Sequence, residues 1–183
     1  TMGPWGVHYE RSNTWWEESK AWHQYVARCQ YLLRQGRFVA DVLSLQSEEP
    51  MQRFKPLRLT GYDYDAISPQ AFLEKVTVKD GLLELPSGMK YRLLVLPEDE
   101  SMTPRMLEKI VALAEAGARI FGNPPVKAPG LSGYPQSDAQ VKTLAAKLWG
   151  TGANSEGKRV KGGIVAGKSP AEVLAAAGIG PDF

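Results

Sequence analysis

Four short apolar runs, set between amphipathic segments, constrain the fold of this chain more than anything else in it. Residues 38–45 and 91–96 are mostly apolar and of strand length, residues 118–121 are a shorter run, and residues 164–166 a weaker one. A run that is apolar rather than alternating suits a parallel strand buried on both faces. The segments between carry apolar residues at three- and four-residue steps, which predicts helices. Ser68-Pro69 opens one with Phe72, Leu73 and Val76. Thr103-Pro104 opens another, with Met106, Leu107, Ile110, Val111 and Ala114 on one face and Gly117 at its end. Residues 138–149 face inward through Val141, Leu144, Ala145 and Leu148. Ser169 and Glu172 form a capping box before a last helix to about Ala177. Strands alternating with helices predict a parallel sheet with helices on both faces. Asp80-Gly81, between residues 76–79 and 82–85, predicts an antiparallel hairpin added to it, because this pair accepts the positive φ angles of a type I′ turn. Residues 46–67 read as a long polar loop and residues 150–162 as a Gly-rich linker.

A further helix precedes the first strand. Thr14 and Glu17 have capping-box spacing. Behind them Trp15, Trp22, Tyr25, Val26, Cys29, Leu32 and Leu33 fall on one face, and Gly36 is a good stop. The residues ahead of this helix are unpatterned and rich in aromatics: Trp5, His8, Tyr9, Glu10, Arg11, Asn13, Trp15 and Trp16 lie within a dozen positions. Flat aromatic surface beside hydrogen-bonding groups is what a carbohydrate site needs, since sugar C–H faces stack on Trp while hydroxyls meet Asn, Arg, His and carboxylates. A second reading is that Trp15 and Trp16 are buried against a neighbour outside these residues. The two are compatible.

At 183 residues, 43% hydrophobic and 23% charged, the chain has room for one domain, or one domain plus a fragment. A net charge of +2 is too balanced to argue for nucleic acid or an anionic membrane as partner. No apolar run approaches the roughly 20 residues of a membrane span. Cys29 is the single cysteine, so no disulfide closes within the chain, and its expected place is as core filler on the first helix. The first six residues carry no signal-peptide pattern and read as cut from the middle of a longer chain.

The search for chemistry finds little. Neither G-x-G-x-x-G nor a P-loop is present, and His8 and His23, the two histidines, lie apart with no Cys pair to complete a metal site. Where a strand-to-helix turn would present a nucleophile, residues 118–121 are followed by Gly122-Asn123-Pro124-Pro125. Glu98, Asp99 and Glu100 follow the run at 91–96, where a flavodoxin-like site would sit, and read as a solvated loop with charge suited to a helix N-terminus. Tyr62-Asp63-Tyr64-Asp65 could meet a cation or a sugar, or simply pack. No catalytic residue, metal ligand or cofactor is assigned to these residues.

Residues 3–17, GPWGVHYERSNTWWE, followed by Ala27-Arg28-Cys29-Gln30-Tyr31-Leu32-Leu33-Arg34-Gln35-Gly36 and Val39-Ala40-Asp41-Val42, resemble the large bacterial glycoside hydrolases of the α-L-rhamnosidase type, family 106. Gly61-Tyr62-Asp63-Tyr64-Asp65, Tyr91-Arg92-Leu93-Leu94-Val95-Leu96-Pro97, Met102-Thr103-Pro104 and Leu131-Ser132-Gly133-Tyr134-Pro135-Gln136 extend the resemblance over nearly the whole chain. It implies that residues 1–36 are the last loop and helix of a catalytic (β/α)8 barrel. Residues 37–183 would then be a flavodoxin- or class I glutamine-amidotransferase-like three-layer α/β domain with a mainly parallel sheet. It also implies hydrolysis of terminal α-L-rhamnosides of plant-type glycans by an inverting acid/base pair of carboxylates outside this stretch, and a periplasmic or secreted setting. The implied partners are a rhamnose-containing glycan and the remainder of the parent barrel, with calcium possible in the full-length enzyme. Barrel loops after strands form the active-site rim, so Trp5, His8, Glu10, Arg11, Asn13, Trp15 and Trp16 are the expected substrate contacts. A non-catalytic carbohydrate-binding or interaction module is the alternative, and an amidotransferase-like enzyme is disfavoured by the residues after Phe121.

Overall fold

The computed structural model describes residues 11–49, 56–150, 164–165 (backbone only) and 169–181. The chain forms two compact units, residues 1–38 and 39–183.

In the first unit, residues 11–18 form consecutive turns that lead into α1 (Ser19–Leu33). The helix therefore starts later than the Thr14–Glu17 box predicts. Its N-cap is Glu18, in helical rather than extended conformation, and no side chain caps it. The turns supply the physical reason. Trp16 N–H donates to the Asn13 carbonyl at 3.1 Å, and Ser19 returns both its N–H and its hydroxyl to the Trp16 carbonyl at 3.2 and 2.6 Å. Backbone turns thus take the role expected of the box. The apolar face of α1 is present in sequence but open: Trp22, Tyr25, Leu32 and Leu33 are all exposed, and Ser19 is the buried residue of the helix. Cys29 is half-buried.

The second unit is a mixed α/β fold with a mainly parallel five-stranded sheet and a small antiparallel one. The large sheet contains β1 (Val42–Leu45), β2 (Tyr64–Ile67), β6 (Leu93–Val95), β7 (Ile120–Phe121) and β8 (Ile164–Val165), in the order β2-β1-β6-β7-β8, with all neighbours parallel. From β1 the chain crosses to one side for β2 and then to the other for β6, β7 and β8, which sets a switch point between β1 and β6. β2 lies inside what reads as loop from sequence. It is an edge strand, so Tyr64 and Asp65 are only half-buried, and its composition lacks the apolar run of the central strands.

Alternate residues of the central strands feed two cores. Leu43, Leu45, Leu94, Leu96 and Ile120 join the larger one. It is closed by α2 (Pro69–Lys75), α3 (Pro104–Glu115) and α4 (Gln136–Trp149) through Phe72, Met106, Leu107, Ile110, Val141 and Leu148. Val42, Leu93 and Val95 point to the opposite face, where Tyr62 and α5 (Pro170–Ala176), through Val173 and Leu174, form the smaller core. The caps follow the sequence. Ser68 accepts from Ala71 N–H, Thr103 from Met106 N–H, and Ser169 and Glu172 close a reciprocal capping box, each with Pro at the first helical position.

The small sheet contains β3 (Thr77–Lys79), β4 (Leu82–Glu84) and β5 (Lys90–Tyr91). Asp80 and Gly81 take φ of 54° and 77° between β3 and β4, as a type I′ turn requires. The run at 91–96 serves both sheets. At Arg92 the chain leaves one for the other: Arg92 N–H and Leu93 N–H both donate to the Asp41 carbonyl at 2.8 and 3.1 Å, and the Arg92 guanidinium pairs with the Asp41 carboxylate at 2.8 Å.

Candidate functional site

Of the seven expected substrate contacts, Trp5, His8 and Glu10 lie outside the described residues. Arg11, Asn13, Trp15 and Trp16 share the turns before α1. Trp15 and Trp16 are 39% and 37% exposed, Arg11 is exposed and Asn13 half-buried. The turns hold two adjacent indoles partly open beside a guanidinium and an amide. Such a surface can stack on a sugar face and hydrogen-bond its hydroxyls.

The second unit offers the place where open parallel sheets bind ligands, outside the C-terminal ends of the strands at the switch point. Here its polar groups are spent on one another. Glu48, on the loop after β1, accepts from the Thr103 N–H and hydroxyl, both at 2.8 Å, and Glu49 accepts from Ser101 at 2.5 Å. Thr103 is the N-cap of α3, so the Glu48 carboxylate lies at the positive end of that helix. The loops after β6 and β7 pair in turn. Val126 N–H donates to the Glu100 carbonyl at 2.8 Å, Met102 N–H to that of Lys127 at 3.0 Å, and Ser101 and Lys127 form a parallel bridge. Asp138, in the first turn of α4, takes Ala128 N–H at 2.8 Å. The sequence points to Glu98, Asp99 and Glu100 for helix-terminal charge. Glu98 and Glu100 are exposed, and the carboxylate at the α3 terminus is Glu48. No local spacing links residues 48 and 103, so only the paired strands reveal it.

The position that would carry a nucleophile after β7 has no room for one. Gly122 has φ of 148°, and a Cβ there would stand 2.7 Å from the Leu96 Cβ. The Trp149 indole N–H donates to the Gly122 carbonyl at 3.0 Å and holds the turn in place.

Tyr62-Asp63-Tyr64-Asp65 is a packing motif. The Tyr62 hydroxyl donates to the Ile179 carbonyl at 2.8 Å, the Tyr64 hydroxyl accepts Leu57 N–H at 3.1 Å, and the Tyr91 hydroxyl donates to Asp65 at 2.7 Å. Burial, then the hydrogen bond to Asp65 and its negative charge, push the Tyr91 phenol well above the usual tyrosine range. Among the described residues no three His, Cys, Asp or Glu side chains gather where they could hold a metal ion, so an implied calcium finds no ligand set on them. No helix among them is long and apolar enough to cross a membrane.

A mixed α/β unit without a nucleophile turn, preceded by an aromatic segment suited to sugars, is the make-up of an accessory region in a carbohydrate-active protein. Comparison with known proteins identifies the kind. The family model described as alpha-L-rhamnosidase, glycoside hydrolase family 106, matches residues 1–183, and the chain belongs to that family. A rhamnosidase from Novosphingobium sp. PP1Y has a similar structure, with a TM-score of 0.79 and 28% identity over 99% of this chain and 18% of its own. A Formosa agariphila protein named "Putative beta-glucuronidase" is 41% identical over 154 residues, 82% of this chain and 13% of its own length. The chain thus spans less than a fifth of either relative.

Proposed function

We propose that these residues belong to a larger glycoside hydrolase that cleaves terminal α-L-rhamnosides of plant-type glycans. Its inverting acid and base are carboxylates outside residues 1–183. The single observation that carries this reading is the family match over the whole chain. The rhamnosidase of similar structure supports the same sugar. Within the chain, Arg11, Asn13, Trp15 and Trp16, with Trp5, His8 and Glu10, serve as the substrate-facing segment, carried on the last loop and helix of a catalytic barrel. The open apolar face of α1 fits a helix that packs on the remainder of that barrel, because a 15-residue helix draws its stability from burying such a face. Residues 37–183 act as a flavodoxin- or amidotransferase-like buttress. Supporting this are the strand order with its switch point between β1 and β6, and an edge whose polar groups satisfy one another.

A second reading concerns the sugar. The name of the 41% identical relative points to a β-glucuronide. One assay separates the two: a chain extended upstream to include the catalytic carboxylates is offered an aryl α-L-rhamnoside and an aryl β-D-glucuronide. Turnover of the rhamnoside alone is expected, with residues 1–183 inactive on both. Turnover by residues 1–183 alone would overturn the proposal. Turnover of the glucuronide alone would transfer the reading to that sugar.

A further inference from the structure

The helical side of the second unit carries an open groove between α3 and α4. It holds about 430 Å3 and is lined by Glu108 of α3 and by Gln136, Ala139, Gln140, Thr143 and Leu144 of α4. That volume lies in the range of small-molecule sites. Residues 136, 140 and 143 repeat at helical spacing and so share one face of α4. Ala139 and Leu144 supply apolar surface, and the other four side chains are polar.

The free hydrogen-bonding capacity of the groove is mostly of one kind. The Thr143 hydroxyl already donates to the Ala139 carbonyl at 2.9 Å, which leaves its oxygen as an acceptor. With its amide turned to satisfy the surroundings, Gln136 donates to the Gly133 and Tyr134 carbonyls, each at 3.3 Å, and presents its oxygen outward. An ionised Glu108 only accepts, and Gln140 retains both donors and acceptor. Among the described residues no lining side chain is cationic. Tyr134, whose carbonyl takes the Gln136 amide, is 61% exposed and adds an open aromatic ring next to Gln136.

A ligand for such a surface donates several O–H groups, carries no negative charge and has an apolar edge. We propose that the groove is a subsite for a neutral 6-deoxy sugar, separate from the reacting centre. This rests on the rhamnoside reading above. Sugar hydroxyls donate to Glu108, Gln136 and Thr143, the methyl group meets Ala139 and Leu144, and a C–H face stacks on Tyr134. The Glu108 carboxylate disfavours a uronate, which would bring a like charge into a groove without a cation.

The test is titration of residues 1–183 with L-rhamnose, followed through backbone amide shifts, with D-glucuronate as the charged comparison. Rhamnose is expected to give saturable shifts at residues 134–144, weakened about tenfold by Tyr134→Ala and by Gln140→Ala. Glucuronate is expected to give none. Glu108→Gln, which removes the like charge, should admit glucuronate. Shifts confined to the front segment, shifts unchanged in both alanine variants, or no saturable shift would each overturn the subsite. Turnover by the extended chain judges the rhamnoside reading separately, so the groove can fail while that reading stands.

Discussion

The Glu48 carboxylate receives both the backbone N–H and the hydroxyl of Thr103, at 2.8 Å each, across 55 residues of sequence. It joins the loop after β1 to the N-terminus of α3, next to the switch point. Charge-assisted bonds of this kind exceed neutral ones, and the helix end adds to them. Glu48→Ala is expected to cost about 1–3 kcal/mol in urea unfolding. Glu48→Gln keeps an acceptor and should lose less. Equal losses would mean that the negative charge contributes nothing.

Gly122 makes the sharpest prediction for a single added methyl. Alanine there would place its Cβ 2.7 Å from the Leu96 Cβ, at a backbone φ of 148° that L-residues rarely adopt. The loss should reach about 1–3 kcal/mol from the backbone alone, with steric displacement at the end of β6 in addition. Gly36, where an added methyl would meet nothing within 4 Å and where φ is not positive, should tolerate alanine with little change in Tm.

Tyr62 ties the residues after α5 to the segment before β2 through its 2.8 Å bond to the Ile179 carbonyl. Tyr62→Phe keeps the ring in the smaller core and removes only that bond. A loss of about 1 kcal/mol in denaturant unfolding is expected. No loss would mean that water replaces the bond at no cost.

Tyr91 gives the fold a response to alkaline pH. Its phenol titrates higher when folded than the ordinary value of about 10. A group raised on folding contributes its full stability below its unfolded pKa, and that contribution disappears as pH rises toward the folded value. Thermal stability is therefore expected to fall above pH about 10, and Tyr91→Phe should flatten this part of the profile. Phenolate absorbance would show this tyrosine ionising after the exposed Tyr25, Tyr31 and Tyr134.

Local chemistry is legible in the sequence wherever neighbouring residues decide it. Ser68, Thr103 and Ser169 cap the helices expected of them, and Asp80-Gly81 turns its hairpin. The central strands appear as apolar runs because both their faces are covered. β2 reads as loop because an edge strand is buried less and carries Tyr64 and Asp65 in place of a run. The Thr14–Glu17 box fails because turns reaching back from Ser19 claim the backbone first. Of the expected sugar contacts, the structure brings Arg11, Asn13, Trp15 and Trp16 into one set of turns. The Glu48–Thr103 link and the acceptor-rich groove both depend on which segments become neighbours, and no spacing in the chain encodes that.

The two cores are unequal, and this sets the order in which the second unit should come apart. Three helices close the larger face of the sheet, while Tyr62 and a seven-residue helix close the other. Limited proteolysis should therefore release α5 first and leave the β1–α4 body intact. A pulling force applied at Ala177 should yield a short extension before the main rupture. The unit then behaves as a rigid block with a detachable cover, and the Tyr62 hydroxyl is its fastening.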